Sequence, residues 1–412
     1  MRVLVWTQYF WPENFGINDL VLELKMQGVD VTVLTGKPNY PEGKIYKGYK
    51  VLGAHKEFFK SVEILRIPLL PRGKNSGLGL FLNYLSFVVF GCIVAPFVLR
   101  GKGFDAVFVY APSPILQALP ALFVSKIKRA PLVLWVQDLW PEALQSSGAI
   151  KNRYVLKIIK LVVRYIYRGA DSILIQSEEF RERVERLIRG GDKISYYPNS
   201  VKDFMSFPLS SPENPDLVGE IDKTFSVVFT GNIGFAQSCE TVLRAAELLQ
   251  DYPKIKFFLI GRGSDVPKVY EGIQARRLKN VEMPGELPVN EMAVVYSAAS
   301  VLLITLRGDD SLSATIPSKL QSYLAAGKPI VACINGAAAR VVQEAKAGIV
   351  CSAEDAQGLS DNILRVYGMD EDERAALGNN GRKYFEANFG LTANTKKLIS
   401  HFCKVGYSCK VD

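Results

Sequence analysis

The feature that most constrains the fold is a glycine-containing turn in the middle of the chain, set between a strand-like run and a helix-like run. The turn reads Thr230-Gly-Asn-Ile-Gly-Phe-Ala-Gln237, with apolar residues 225–229 before it and a helical pattern over 240–249 after it. A strand, a glycine turn and a helix bring backbone N–H groups and a helix N-terminus to one point, which suits an anion. Because the turn opens a second series of strands and helices, it predicts two Rossmann-like α/β domains, each a doubly wound parallel sheet, facing a cleft.

Short apolar runs alternate with helical patterns along the whole chain, as in parallel α/β architecture. The proline-rich stretch 207–215 separates two such series, and 412 residues are enough for two domains. We predict a first domain over 1–203, a linker over 204–222 and a second domain over 223–385. The predicted strands are 3–6, 31–34, 64–67, 106–110, 132–136, 172–175, 194–197, 226–229, 256–260, 280–283, 301–304, 330–332 and 349–351.

The positive charge of the chain is confined to its first half. Residues 1–200 carry 27 Lys and Arg against 16 Asp and Glu, a net charge of +11, whereas residues 201–412 carry 23 against 25, a net charge of −2. An anionic partner is therefore expected for the first half: a membrane surface, a lipid phosphate or a nucleic acid. The N-terminus shows no signal peptide, so we expect a cytoplasmic protein.

Two segments depart from the pattern of a water-soluble domain. Residues 78–99 are apolar over nearly the length that crosses a bilayer. They fit a buried core helix, a helix that enters one leaflet or, least well, a full span, since a span would put strands of one sheet on opposite sides of the membrane. Residues 151–168 contain six basic residues and no acid. Helical spacing places five of them on one face, as in a membrane-surface helix or an ordinary solvated helix: Arg153, Lys157, Lys160, Arg164 and Arg168.

Loops after the predicted strands of an open α/β sheet face the ligand crevice, so polar residues there are the first candidates. After the first strand come Glu13, which could contact a sugar hydroxyl, and Gly16, which could let the backbone approach a phosphate. After strand 132–136 come Gln137, Asp138 and Glu142. Asp138 is the catalytic or sugar-binding candidate, and the alternative is an aspartate that caps a turn.

The second half offers an anion site. Lys319 follows Pro317 and Ser318, which mark a helix start, so it would add a full charge to the helix N-terminus. The chain has two histidines, which excludes a multi-histidine metal site, and the adjacent Asp309 and Asp310 read as a loop. The predicted nucleotide-sugar contacts of this half are Gly231, Asn232, Gly234, Gln237, Gly261, Arg262, Gly263 and Arg307.

Six stretches spread over nearly the whole chain carry a family resemblance. They are Gly36-Lys-Pro-Asn-Tyr-Pro-Glu-Gly-Lys-Ile-Tyr46, Leu82-Asn-Tyr-Leu-Ser-Phe87, Val136-Gln-Asp-Leu-Trp-Pro-Glu142, Thr230–Gln237, Ile316-Pro-Ser-Lys-Leu320 and Tyr323-Leu-Ala-Ala-Gly327. Together they resemble the retaining family 4 glycosyltransferases of the GT-B fold, in particular the bacterial enzymes of O-antigen, capsule and colanic acid synthesis. The resemblance implies a nucleotide-sugar donor on the second domain, a lipid-linked acceptor on the first, and a terminal helix over 386–412 that returns to the first domain.

The chain departs from the family pattern at several positions. Many members have histidine where this chain has Gln137, and arginine and lysine where it has Asn232 and Gln237. They also carry two glutamates, the second of which binds the ribose, where this chain has Ala314 and Ser322. Ser322 would bond a hydroxyl only weakly. Charge on the leaving group would then be stabilised by Lys319, backbone N–H groups and either of two arginines, Arg262 and Arg307.

These inferences predict a metal-independent, retaining glycosyltransferase without a cofactor, bound peripherally to the inner face of the bacterial plasma membrane. It would move a sugar, expected to be an N-acetylated hexosamine from UDP, onto an undecaprenyl-diphosphate-linked saccharide, with no role for nucleic acid. One alternative is a nonhydrolysing UDP-N-acetylhexosamine epimerase, which needs acid–base groups that two histidines hardly supply. The other is a non-catalytic partner subunit, which Ala314 and Ser322 would fit.

Overall fold

The computed structural model describes residues 1–73, 77–146, 150, 152–188, 190–206 and 211–406. The predicted linker and the basic segment therefore lie partly outside the described residues, at 207–210 and at 151. The chain divides into two compact units, residues 1–200 with 391–412, and residues 201–390. Each unit is an α/β sandwich built on one sheet, as the alternation of strand and helix patterns predicts.

The first unit contains an eight-stranded sheet among its described residues, in the order β3-β4-β2-β1-β5-β6-β7-β8, parallel except for β3. Its strands are β1 Arg2–Trp6, β2 Asp30–Thr35, β3 His55–Phe59, β4 Val62–Arg66, β5 Ala106–Ala111, β6 Leu132–Val136, β7 Ser172–Ile175 and β8 Ile194–Tyr196. Its helices are α1 Gly16–Met26, α2 Gly77–Val98, α3 Ala118–Lys128, α4 Glu142–Ser146, α5 Arg153–Gly169, α6 Glu179–Glu185 and, from the far end of the chain, α16 Leu391–Val405, with a 3₁₀ turn at Ile115–Gln117.

The second unit contains a six-stranded parallel sheet in the order β11-β10-β9-β12-β13-β14, which is the strand order of a Rossmann fold. Its strands are β9 Phe225–Thr230, β10 Ile255–Ile260, β11 Val281–Gly285, β12 Val301–Thr305, β13 Ile330–Cys333 and β14 Gly348–Cys351. Its helices are α7 Pro215–Lys223, α8 Cys239–Leu248, α9 Val266–Arg276, α10 Met292–Ala298, α11 Asp310–Ser313, α12 Ser318–Ala326, α13 Ala337–Glu344, α14 Ala356–Tyr367 and α15 Glu371–Asn388, with 3₁₀ turns at Phe204–Ser206, Phe235–Gln237 and Val289–Glu291.

The boundaries between the units differ from those predicted. Residues 215–223 form α7 rather than part of a linker, because Asn214 caps the helix and Leu217 and Ile221 are buried in the second unit. The return to the first unit begins at Leu391 rather than at residue 386. There α16 buries Leu398 and Phe402 in the core of the first unit.

Helix α2 is not the buried core helix that was one of the predictions. It is long and apolar enough to cross a membrane, yet only 28% of its most apolar window is buried. The strands before and after it, β4 and β5, belong to one sheet, which opposes a full span for the reason given above. The helix exposes an apolar stripe made of Leu78, Phe81, Leu82, Leu85, Val89, Ile93 and Phe97.

Candidate active site

The glycine turn of the second unit is built from two neighbouring strand ends. Strands β9 and β10 are parallel and in register, Thr230 beside Ile260, so Gly231 and Gly261 are the next residues of each. Both have positive φ, +117° and +148°, and a Cβ on Gly261 would lie 1.8 Å from the Gly231 carbonyl oxygen. A Cβ on Gly263 would similarly lie 2.1 Å from the carbonyl oxygen of Ile233. Only glycine fits where two main chains come this close together. Because glycine has no side chain, backbone atoms are exposed at the turn.

The loop after β12 joins the same turn. The Thr305 hydroxyl donates to the carbonyl oxygen of Gln237 at 2.6 Å, and the Arg307 N–H donates to the carbonyl oxygen of Ala236 at 3.0 Å. The Arg307 guanidinium stacks 4.0 Å from the centroid of the Phe235 ring and pairs with Glu354 at 3.5 Å. The structure therefore brings Gly231, Gln237, Gly261 and Arg307 together at one edge of the sheet.

Lys319 lies against this turn from the first residues of α12. The helix begins at Ser318, and its N-cap residue Pro317 makes no side-chain capping bond. The Leu320 N–H donates to the Pro317 carbonyl oxygen at 3.0 Å, which leaves the N–H groups of Ser318 and Lys319 for an anion. Lys319 Nζ donates to Gln237 Oε1 at 2.6 Å and sits 3.8 Å from the centroid of the Phe229 ring. A Cβ on Gly231 would lie 3.7 Å from Nζ, which places the ammonium beside exposed main chain.

The Lys319 side chain is half-buried, and among the described residues no acidic side chain lies within ion-pair distance of its ammonium. Burial lowers its pKa to about 7, and only the nearby Cys239 acts in the other direction. A neutral amide oxygen and a phenyl ring are weak compensation for a desolvated charge. A bound anion would supply the missing charge and raise this pKa again.

Other predicted contacts of the second unit lie at the rim. The amide nitrogen of Asn232 packs against Gly234, and Ser322 is half-buried one turn beyond Ser318 on α12. Arg262 differs from its predicted role, since its side chain is 72% exposed and pairs with Glu286 at 3.3 Å. Its charge is therefore already partnered in solvent, and a phosphate would have to compete for it.

In the first unit, Asp138 is held by the loop of the neighbouring strand. Its Oδ2 accepts hydrogen bonds from the Ser113 N–H at 3.0 Å and the Ser113 hydroxyl at 2.8 Å, and Trp140 Nε1 donates to the same hydroxyl oxygen at 2.9 Å. Gln137 is buried, and its side-chain nitrogen has no hydrogen-bond partner among the described residues. Glu142 begins α4 and is half-buried. Asp138 is thus positioned to present its second oxygen to a hydroxyl.

Glu13 does not have the predicted role of a sugar ligand. It is 2% exposed, and its carboxylate accepts hydrogen bonds from the N–H groups of Asn39 at 2.8 Å, Tyr40 at 2.7 Å and Phe10 at 3.3 Å. Burial raises its pKa to about 7 although these donors favour the charged form. Glu13 therefore fixes two loops to each other. Gly16 begins α1, and a Cβ there would meet nothing within 4 Å, so the space on its Cβ side is open.

Family models match both units in turn. The model described as "Glycosyl transferase 4-like domain" matches residues 15–200, and "Glycosyl transferases group 1" matches residues 211–384. The chain is a GT-B glycosyltransferase. Together the two models leave only the ends and a short middle segment unmatched, so the membership rests on both units and not on the glycine turn alone.

Relatives of this glycosyltransferase include proteins of bacterial polysaccharide synthesis. WcaI of Escherichia coli, assigned to glycosyl transfer in colanic acid biosynthesis, is 25% identical over 348 residues, 79% of this chain and 82% of WcaI. Two solved structures share the fold over 98% of this chain. Sucrose-phosphate synthase of Thermosynechococcus elongatus is 17% identical, with a TM-score of 0.76, and is covered over 98% of its length. HepE of Anabaena, solved in a complex with UDP-glucose, is 14% identical, with a TM-score of 0.69, and is covered over its full length.

The glycosyltransferase site contains two groups that the sequence did not single out. The Tyr323 hydroxyl accepts a hydrogen bond from the N–H of Thr230 at 2.9 Å, and Tyr296 lies 2.8 Å from the Thr230 hydroxyl. This network fixes the end of β9, where the turn begins. Tyr323 lies four residues after Lys319, so helical spacing is the signal that relates the two. Phe229, whose ring lies beside the Lys319 ammonium, was predicted only as a residue of strand 226–229.

The groups at this turn suit the stabilisation of negative charge. Within the described residues, no group of three or more His, Cys, Asp or Glu side chains is placed to hold a metal ion. Asp309 caps α11 through hydrogen bonds from the N–H groups of Ser311 and Leu312. The turn instead offers backbone N–H groups, a helix N-terminus and the Lys319 ammonium, which are the groups that stabilise a developing oxyanion.

Proposed function

We propose that this glycosyltransferase transfers a sugar, expected to be an N-acetylated hexosamine, from UDP with retention of anomeric configuration and without a metal ion. The acceptor is an undecaprenyl-diphosphate-linked saccharide at the cytoplasmic face of the bacterial plasma membrane. The observation that carries the proposal is the position of Lys319, which is half-buried beside the Gly231 turn and has no acidic partner among the described residues. A diphosphate is the anion that two glycine loops, a helix N-terminus and one ammonium accommodate together.

The chemistry follows from where the charge develops. As the bond between the sugar C1 and the β-phosphate oxygen breaks, negative charge grows on the diphosphate, and Lys319 with the N–H groups of the turn stabilises it. The acceptor oxygen forms its bond to C1 on the same face, and its proton passes to the departing phosphate oxygen. No protein nucleophile is required, and Asp138 orients a sugar hydroxyl through its free oxygen. The proposal of UDP is supported by the complex of HepE with UDP-glucose.

The donor affinity is predicted to depend on pH through Lys319. Its pKa is about 7 in the free protein, and a bound diphosphate raises it, so donor binding takes up a proton above pH 7. The dissociation constant of a UDP-sugar should therefore increase about tenfold from pH 6 to pH 8. Calorimetric titration in a buffer with EDTA measures this. Lys319→Arg, which stays charged, should remove the pH dependence, and loss of binding in EDTA would contradict metal independence.

A second part of the proposal concerns the membrane. Exposed apolar residues of α2 are joined by Phe123 and Ile127 of α3, which packs against both α2 and α5. On α5 the exposed side chains are both apolar and basic, the combination found in helices at a lipid surface. The exposed apolar residues of α5 are Tyr154, Val155, Ile158, Leu161 and Tyr165.

The basic face of α5 is predicted to contribute to vesicle binding. Each basic residue near an anionic surface contributes about 1 kcal/mol, so a variant with Gln at 153, 157, 160, 164 and 168 should bind anionic vesicles more weakly in sedimentation assays. A residual, salt-resistant fraction should remain because of α2. A control variant removes equal charge from the second unit by glutamine substitution of Lys254, Lys279, Lys346, Arg365 and Lys383. Wild-type protein that ignored anionic vesicles at low salt would contradict this part of the proposal.

A further inference from the structure

Arg72 lies in a cluster of tyrosines in the first unit, outside the residues predicted from the sequence. The Arg72 guanidinium stacks 5.1 Å from the centroid of the Tyr40 ring, and the backbone N–H of Arg72 donates to Asn39 Oδ1 at 3.3 Å. The rings of Tyr40 and Tyr9 are 5.8 Å apart, and Tyr9 is hydrogen-bonded to Tyr84 of α2. The cluster thus combines the Arg72 guanidinium with the phenol rings of Tyr9, Tyr40 and Tyr84, which lie in three other segments of the chain.

The guanidinium has no acidic partner to neutralise it. No carboxylate lies within ion-pair distance of Arg72 among the described residues. Burial raises the pKa of both Tyr9 and Tyr84, and the nearby positive charge of Arg72 opposes the rise at each of them. The Arg72 side chain is half-buried, and the only side-chain contact that the described residues show for its guanidinium is the Tyr40 ring.

The cluster lies between a charged residue, Asp138, and the apolar stripe of α2. On one side, hydrogen bonds connect the cluster to the loop that holds Asp138. Gln8 Nε2 donates to the Tyr9 hydroxyl at 3.4 Å, and the Gln8 backbone N–H donates to Gln117 Oε1 at 2.7 Å. Gln117 Nε2 in turn donates at 3.2 Å to the carbonyl oxygen of Pro112, the residue before the Ser113 that binds Asp138. On the other side, Tyr84 lies one helical turn after Phe81 and next to Leu85, and both of these are exposed. A cation with hydroxyl donors thus meets the apolar stripe of α2.

We infer that Arg72, with Tyr9, Tyr40 and Tyr84, binds the phosphate next to the isoprenoid chain of the acceptor, while that chain lies along the apolar stripe of α2. Guanidinium groups bind phosphate oxygens with two parallel hydrogen bonds, which fixes orientation as well as distance. The saccharide beyond the phosphate would then be directed toward Asp138. The inference rests on the proposed function, because it concerns the acceptor of the same reaction.

The test uses the full-length protein with saturating UDP, which occupies the second unit, and titrates geranyl diphosphate, geraniol and inorganic diphosphate. We expect Arg72→Gln to weaken geranyl diphosphate binding about 10- to 100-fold, which corresponds to a charge-assisted hydrogen-bonded contact. Arg72→Lys should be intermediate, since the charge remains without the planar fork. Arg100→Gln, at an exposed residue two positions beyond the end of α2, is the matched control and should change nothing.

Each outcome decides the inference. A change below threefold in Arg72→Gln, or no binding of geranyl diphosphate by the wild type, would overturn it. If inorganic diphosphate bound as tightly as geranyl diphosphate, the isoprenoid chain would contribute nothing and its place on α2 would be wrong. If geraniol bound as tightly as geranyl diphosphate, the phosphate would contribute nothing and its place at Arg72 would be wrong. UDP-sugar binding by the same variants separates this inference from the proposed function. Loss of donor binding in the wild type counts against the function, whereas intact donor binding with an unaffected Arg72 variant counts only against the acceptor site.

Discussion

Lys319→Ala is expected to lower kcat by about 10²- to 10³-fold, the usual cost of removing one preorganised group that stabilises a developing oxyanion. The ammonium lies beside the Gly231 turn, where a Cβ on Gly231 would be 3.7 Å from Nζ, and it donates to Gln237 Oε1 at 2.6 Å. The loss should be larger in kcat than in the affinity for the donor, because charge on the diphosphate grows as the glycosidic bond breaks. Steady-state kinetics with varied UDP-sugar measures both.

Two controls distinguish this role from that of a surface lysine. Lys279→Ala removes an exposed lysine of the same unit and should leave kcat unchanged. The ligand-free Lys319→Ala protein should be more stable than the wild type at pH 6, because a folded-state pKa of about 7 lies below that of the unfolded chain. Below pH 7 the folded protein carries the full cost of the buried charge, and that cost falls as pH rises through 7. If Lys319→Ala lowered kcat less than threefold, Lys319 would have no catalytic role and would be an ordinary surface lysine.

Gly261→Ala should abolish donor binding and destabilise the second unit by about 3 kcal/mol or more. The reason is that the new Cβ would clash with neighbouring main chain at a residue whose φ favours glycine. The new Cβ would lie 1.8 Å from the Gly231 carbonyl oxygen, and φ at this residue is +148°. Neither main chain can withdraw easily, since Gly261 N–H donates to the Gly285 carbonyl oxygen at 2.8 Å and Gly231 N–H to that of Ile260 at 2.9 Å.

Thermal unfolding and UDP titration measure the two effects separately. The matched control is Gly219→Ala, because Gly219 lies in α7 and a Cβ there would meet nothing within 4 Å. That change should be neutral or stabilising, as alanine favours a helix over glycine. An alanine at 261 that left both the melting temperature and UDP affinity unchanged would contradict the account of the turn.

The parts of the fold that repeat a local pattern were predictable from the sequence. The parallel strands of both sheets read as short apolar runs, and the start of α12 at Ser318 follows the expected proline signal. Strand β3 was missed because His55–Phe59 is polar and mostly exposed at the sheet edge. Its hairpin turn also lacks a glycine signal: Lys60 and Ser61 adopt positive φ, 44° and 70°.

The parts of the site that depend on tertiary contacts were not predictable. Glu13 read as an exposed ligand because the sequence does not show that the loop holding Asn39 and Tyr40 closes over it. The Arg72 cluster joins segments around residues 9, 40, 72 and 84 that share no spacing. The face of α2 was equally ambiguous, because a helix apolar on all sides has no periodicity from which burial can be inferred.

The anomeric configuration of the product tests the central claim most directly. The purified protein is incubated in EDTA with a UDP-sugar and a short-chain isoprenyl-diphosphate-linked saccharide, and the new glycosidic linkage is assigned by proton NMR from its coupling constant. We predict release of UDP and a product with the same anomeric configuration as the donor. An inverted linkage, or product formed only after a divalent metal is added, would contradict a retaining, metal-independent glycosyltransferase.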